Sequence, residues 1–236
     1  LVVKRYEQPT DLTVQLVLDA SASMSFAGLD SRQPTTDQAT EKFTAAAQLA
    51  AAIAWLVTRQ QDRVGLALST PQPPAPLRPG TSSPHFQQLE AMLRDAQPRG
   101  RASMADTVTS LAPALPHRSL WVLISDLMVP VEPLAQALAG ISAHGGEAIL
   151  FQTLHPDELD LPALNHATLV DSETGHRLRI SPAQYKADYQ RRLHQSTQRW
   201  RRVALNLGFD HRVVRSDTPA VEALRDYLVQ RSERYA

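Results

Sequence analysis

The 236-residue sequence contains no cysteine, which excludes disulfides, thiolate metal sites, iron–sulfur clusters and cysteine nucleophiles. It also lacks net charge, because 24 Lys and Arg face 24 Asp and Glu. No global field therefore draws the chain toward nucleic acid or an anionic membrane, and any recognition has to be local. No run nears the roughly 20 apolar residues of a membrane helix, and no signal peptide is visible. With the absence of cysteine, this leads to an expected cytoplasmic location. The eight histidines form no H-x-x-x-H pair of the zinc-binding kind. No G-x-S-x-G elbow is present for serine hydrolysis, and no internal repeat is visible. The chain opens at Leu1 rather than Met, so a truncated N-terminus is expected.

What is present is the composition of a globular protein: 43% of residues are hydrophobic, and the length allows a sizeable core. Short β-rich runs alternate with longer helical ones. This predicts an α/β fold, a Rossmann-like three-layer sandwich with a mostly parallel central sheet and helices on both faces. Strands are expected at Thr13–Leu18, Arg63–Ser69, Leu120–Ile124, Glu147–Leu154 and His211–Arg215. Helices are expected at Lys42–Gln60, around Phe86–Leu93, after Ser103, at Pro133–Ala143, at Pro182–Leu207 and at Pro219–Arg231. Ser181 reads as the N-cap of the longest helix and Pro182 as its first residue. Prolines 71, 73, 74, 76 and 79 cannot donate ladder hydrogen bonds, so that stretch is a turn or at best an edge strand. Residues 1–236 read as a single domain, with an irregular elaboration at about 155–181 that has room for short strands.

Two strand ends carry the chemistry. Asp19 follows the buried run QLVL, and Asp126 follows VLIS. In an open α/β sheet, ligands bind beyond the carboxyl ends of the strands, at the point where strand order reverses. If these two strands are central neighbours, both carboxylates reach one crevice. Ser21 and Ser23 alternate on the loop after Asp19, so their hydroxyls can turn the same way. Carboxylates plus hydroxyls make an all-oxygen donor set suited to a hard cation, Mg²⁺ first, with Mn²⁺ or Ca²⁺ as alternatives.

The segment Asp19-Ala20-Ser21-Ala22-Ser23 resembles the metal-ion-dependent adhesion site of von Willebrand factor A domains, whose first loop reads D-x-S-x-S. In that family a Thr on a second loop and an Asp on a third complete the site. Asp126, within LISDL, matches the third loop. The second loop departs from the family pattern G-x-T-D-L. It reads Gly100-Arg101-Ala102-Ser103-Met104, placing Ala102 where the Thr belongs, with Ser103 as the substitute ligand and Thr107 as a remoter candidate. VKRY at 3–6, DLTVQLVLDASASM at 11–24, DRVGLAL at 62–68, SLWVLISDL at 119–127, DSETG at 171–175 and SDTPAVEALRDYLVQR at 216–231 are similar to the bacterial domain-of-unknown-function family fifty-eight. The resemblance implies a metal-dependent protein-interaction module. It also implies a MoxR-type AAA+ ATPase, or a client of one, as the partner that offers an acidic residue to the ion, in chaperone-like assembly or maturation.

A bare strand-to-loop turn rich in Asp and Ser needs no metal, and Ala102 favours a metal-free scaffold with a degenerate site. A Mg-dependent phosphotransferase of the haloacid dehalogenase type also places an Asp after its first strand. It requires a second Asp two residues on as general acid, and Ser21 stands there. Arg191, Arg192, Arg199, Arg201 and Arg202 lie beside Tyr185, Tyr189 and Trp200 on the longest helix. The stripe Tyr185, Tyr189, Leu193 and Trp200 is expected to face the core and the arginines to face solvent, which argues against nucleic-acid binding.

Overall fold

A computed structural model of the chain describes residues 12–28, 41–162, 167–170, 177–180 and 182–235. The segments VKRY and DSETG and the expected cap Ser181 lie outside the described residues. The strands are β1 (Thr13–Asp19), β2 (Arg63–Ser69), β3 (Leu77–Gly80), β4 (Leu120–Ser125), β5 (Glu147–Leu154), β6 (Ala167–Val170), β7 (Arg177–Ile180) and β8 (Asp210–Arg215). The helices are α1 (Glu41–Arg59), α2 (Ser83–Asp95), α3 (Met104–Leu111), α4 (Val131–Ala143), the single turn α5 (Pro156–Leu159), α6 (Pro182–Asn206) and α7 (Ala220–Tyr235).

Six strands form one sheet in the order β3-β2-β1-β4-β5-β8. All neighbours are parallel except β2 and β3. The antiparallel edge strand β3 contains Pro79, which an edge tolerates because its ring replaces a donor no neighbour needs. β6 and β7 pair antiparallel as a separate hairpin, so the elaboration does hold short strands.

The three layers follow from the two-residue period of the strands. On one face Leu16, Leu18, Val122, Ile124, Ile149 and Phe151 pack against α1, α2 and α7 through Phe43, Leu49, Leu89 and Tyr227. On the other, Val17, Trp121, Leu123, Ala148 and Leu150 pack against α3, α4 and α6 through Met104, Leu134, Leu138 and Trp200. Both faces of β1, β4 and β5 are therefore buried, which explains why they read as continuous apolar runs. Each buried Leu or Val contributes roughly 1.5–3 kcal/mol, so the central strands are fixed firmly and their carboxyl ends are placed with them.

The aromatic stripe of α6 is only partly as expected. Trp200 is buried, Tyr189 and Leu193 are half-buried, and Tyr185 is 53% exposed. At 25 residues the helix spans roughly 37 Å, longer than the strands it covers. Its first turns overhang the carboxyl ends of the sheet, where Lys186 and Gln190 reach Asp160 beyond β5.

Candidate metal-binding site at the carboxyl ends of β1 and β4

β1 and β4 are neighbours, with Leu18 opposite Ile124. β2 lies on the other side of β1, so the crevice sits where strand order reverses. Asp19 and Asp126 reach that crevice with exposures of 2% and 0%. Each carboxylate is aimed by its own loop. Asp19 Oδ1 accepts from Ser21 N at 2.9 Å, and its Oδ2 accepts from Ser125 Oγ at 2.6 Å. Asp126 Oδ1 accepts from Met128 N at 2.9 Å, and Ser125 Oγ also accepts from Leu127 N.

Between these contacts Leu127 adopts φ 55°, a left-handed conformation that costs a non-glycine residue roughly 1–2 kcal/mol. The turn is retained because both neighbours are pinned and because Leu127 O accepts the buried indole N–H of Trp200 at 3.0 Å. Backbone strain of this kind concentrates at functional sites. Gln152 on β5 fastens the turn from the other side by donating to Asp126 O at 3.1 Å. Its Oε1 faces His211 Nε2 at 3.1 Å. Burial, then the charges of Arg201 and Arg212, push His211 down to about 4, so this imidazole is neutral near pH 7 and donates from Nε2.

Ser21 Oγ and Ser23 Oγ lie 3.1 Å apart, so alternation along the loop does bring the two hydroxyls together. The second loop is stitched to the first: Ala22 N donates to Gly100 O at 2.8 Å and Arg99 N to Ala20 O at 3.0 Å. Gly100 has φ +58°, with Pro71 2.7 Å from where a Cβ would stand, so glycine is required at this turn. Ala102 brings only a methyl group. Ser103 Oγ accepts from Asp106 N at 3.1 Å and caps α3, which leaves one lone pair for any further role. Thr107 Oγ1 donates to Ser103 O and approaches Ser69 Oγ at 3.3 Å, and Ser69 is the β2 partner of Asp19. The Thr107 hydroxyl is thus turned toward the first carboxylate's neighbour.

The structure adds two residues that the sequence did not single out. Lys42, in the first turn of α1, is wholly buried. Its Nζ donates to Asp126 Oδ2 at 2.8 Å, to Glu158 Oε1 at 2.8 Å and to Ser23 O at 3.2 Å. Glu158, on α5, also accepts His155 N at 2.7 Å through Oε2. A signal for Lys42 was present: it falls on the buried stripe of α1 with Ala46, Leu49, Ile53 and Val57, where a charge needs a partner. Nothing local marked Glu158.

The electrostatics are unbalanced. Burial first, and the charge of Asp126 second, push the Asp19 carboxyl up to about 6, against hydrogen bonds from Ser125 and Ser21. Burial alone would lower Lys42, but Asp126 and then Glu158 hold its ammonium above the ordinary lysine value. Tyr189 of α6 is raised by burial and then by the charges of Glu158 and Asp126. Among the described residues no three or more His, Asp or Glu converge as a ready metal cluster. The oxygen set depends on serine hydroxyls as well as carboxylates.

This architecture is shared with solved structures. The chain is similar to BatB from Bacteroides thetaiotaomicron, with TM-score 0.59 and 12% identity over 94% of this chain and 99% of that one. An aerotolerance-related membrane protein from Bacteroides fragilis aligns at TM-score 0.56 and 14% identity, covering 91% and 96%. The SpRpn10 VWA domain aligns at 0.53 and 12%, covering 92% and 95%. The fold is therefore von Willebrand factor A-like. In sequence, the chain is 27% identical over 178 residues to uncharacterized protein Rv1480 of Mycobacterium tuberculosis and to uncharacterized protein Mb1516 of Mycobacterium bovis. The matched region is 73% of this chain and 53% of each of those, so the chain spans about half the length of these relatives. Residues 1–199 match the family described as protein of unknown function DUF58, from the first strand and its D-x-S-x-S loop through Asp126 and most of α6, and the chain belongs to that family.

Proposed function

We propose that the chain is a metal-ion-dependent protein-interaction module, a binding domain rather than an enzyme. The observation that carries this reading is uncompensated buried charge. Asp19 lies close enough to Asp126 to be raised by its charge, and Lys42 bridges Asp126 to Glu158, so among the described residues this buried network holds three carboxylates and one ammonium, a formal excess of two negative charges. One divalent cation balances that number, and the oxygen donors suit Mg²⁺, with Mn²⁺ or Ca²⁺ as alternatives.

Asp19, Ser21, Ser23 and Asp126 are the residues that would hold the ion, with Ser103 as the second-loop hydroxyl. A bound dication supplies an electrophilic position for a Glu or Asp side chain of a partner protein. The chain's own part is to keep the donors aimed. Ser125 and the Ser21 amide orient Asp19, the Met128 amide orients Asp126, and Gln152 holds the turn between them. The partner we propose is a MoxR-type AAA+ ATPase or its client, in chaperone-like assembly or maturation in the cytoplasm, as the family resemblance implies. Among the described residues no helix is long and apolar enough to cross a membrane.

Calorimetric titration of Mg²⁺ and Mn²⁺ into EDTA-stripped protein tests this, with Asp19→Ala as control. Saturable binding that the substitution abolishes is expected. Failure of the wild type to bind either ion removes the metal from the account. A second reading, a metal-free scaffold, is favoured by Ala102 and by the cation that Lys42 already supplies. It predicts partner binding that ignores EDTA.

A further inference from the structure

A lysine that is 0% exposed is uncommon, because an unpaired buried ammonium is very costly. Lys42 offsets that cost by pairing and hydrogen bonding. Its three N–H donors meet three acceptors: Asp126 Oδ2, Glu158 Oε1 and the carbonyl of Ser23. These belong to three different segments: the turn after β4, the α5 turn, and the D-x-S-x-S loop itself. The ammonium is therefore a cation tethered at the edge of the candidate site, bonded to one of its carboxylates and to the backbone of one of its serines.

Two consequences follow from that position. The first is assembly: Lys42 draws Asp126, Glu158 and the first loop together with no other cation required. The second is opposition. A dication held by Asp19, Ser21, Ser23 and Asp126 shares Asp126 with a fixed positive charge, and a low-dielectric surrounding makes that repulsion strong. We propose that Lys42 is a built-in counter-cation that keeps the metal-free site assembled and weakens its grip on a divalent ion. Glu158 acts through it by drawing the ammonium off Asp126 and adding negative charge. The inference rests on the metal reading above. It adds a reason for the site to hold an ion weakly on its own and more tightly once a partner's carboxylate adds a further negative charge.

The test is Mn²⁺ titration of the EDTA-stripped full chain as wild type, Lys42→Met, Lys42→Gln and Glu158→Gln, with melting temperatures taken in EDTA and in saturating Mn²⁺. Lys42→Met is expected to bind Mn²⁺ about ten- to a hundredfold more tightly than wild type, and Glu158→Gln roughly three- to tenfold more weakly. In EDTA, Lys42→Met melts below wild type, and Mn²⁺ raises its melting temperature by more than it raises that of wild type. Lys42→Gln, which keeps hydrogen bonding while removing the charge, carries the same expectation if Lys42→Met does not fold. Binding by Lys42→Met alone, with none by wild type, removes the metal from the native chain and overturns both readings. Unchanged affinity in folded Lys42 variants overturns it, as does loss of binding in them or unchanged or tighter binding by Glu158→Gln. If Asp19→Ala still abolishes wild-type binding in those cases, the metal reading stands without this inference. Absence of binding in every variant overturns both.

Discussion

Two groups of ion pairs in this molecule share a geometry and differ in surroundings. Lys42 Nζ lies 2.8 Å from both Asp126 and Glu158, inside the protein. On the outer surface of α6, Arg192 Nε lies 2.9 Å from Asp188, which Arg191 also contacts, and both arginines are well exposed. Distance does not separate the two groups, but solvent does. On the helix surface, water screens the attraction, and fixing long side chains offsets much of what remains. In the crevice every charge has been stripped of water, so each depends on its neighbours. The loss of one member leaves the others without compensation. The surface pairs belong to the helix on which they sit. The buried set belongs to the whole sheet end, and its excess of negative charge is what the proposed cation would offset.

Substitutions should break this contrast in a definite order. Lys42→Met leaves Asp126 and Glu158 buried without their cation, and the metal-free protein should lose roughly 3–5 kcal/mol in urea denaturation. Asp19→Asn should act in the opposite direction. Its carboxyl is pushed from 3.8 to about 6 on folding, so between about pH 4 and pH 6 the native state holds the proton more firmly than the unfolded chain does. Metal-free wild type should therefore lose stability as pH rises through that window. Asp19→Asn should lack the loss and be more stable at pH 7 by about 1–3 kcal/mol, while binding no metal. A flat wild-type profile between pH 4 and 6 would show that Asp19 folds as an ordinary carboxylate.

Two smaller effects complete the order. Trp200→Phe removes the donor to Leu127 O and should cost roughly 1–2 kcal/mol. The loss should be accompanied by faster amide exchange at Leu127 and Met128, because the left-handed turn loses a support. Asp188→Ala removes the acceptor for two exposed arginines, yet should change stability by less than about 1 kcal/mol, and by less still in high salt. Should Asp188→Ala prove as damaging as Lys42→Met, burial is not what separates the two groups.

Much of the fold is legible in the amino-acid sequence, and the reasons are local. The runs VQLVL, LWVLI and AILFQTL are apolar on both faces, which only a strand covered on both sides sustains. Ser103, Gly208 and Pro182 mark helix ends at or next to the observed boundaries. Asp19 and Asp126 are identifiable because each ends such a strand. The α6 stripe is only partly readable: the period is right, but the overhang that exposes Tyr185 depends on helix length relative to the sheet, which no window of residues carries.

Where sequence reasoning stops, the missing quantity is separation along the chain. Lys42 meets Asp126 across 84 positions and Glu158 across 116, and Ser125 meets Asp19 across 106. By itself the sequence determined the strand order's raw material, the two carboxylates at strand ends and the paired serines, because hydrophobic period and turn chemistry act over a few residues. Only the tertiary structure decided that β1 and β4 lie side by side, that a lysine from a helix start enters the crevice, and that Asp19 is left short of positive charge. Those outcomes depend on which distant groups packing brings into a space without water, where a charge is felt at full strength.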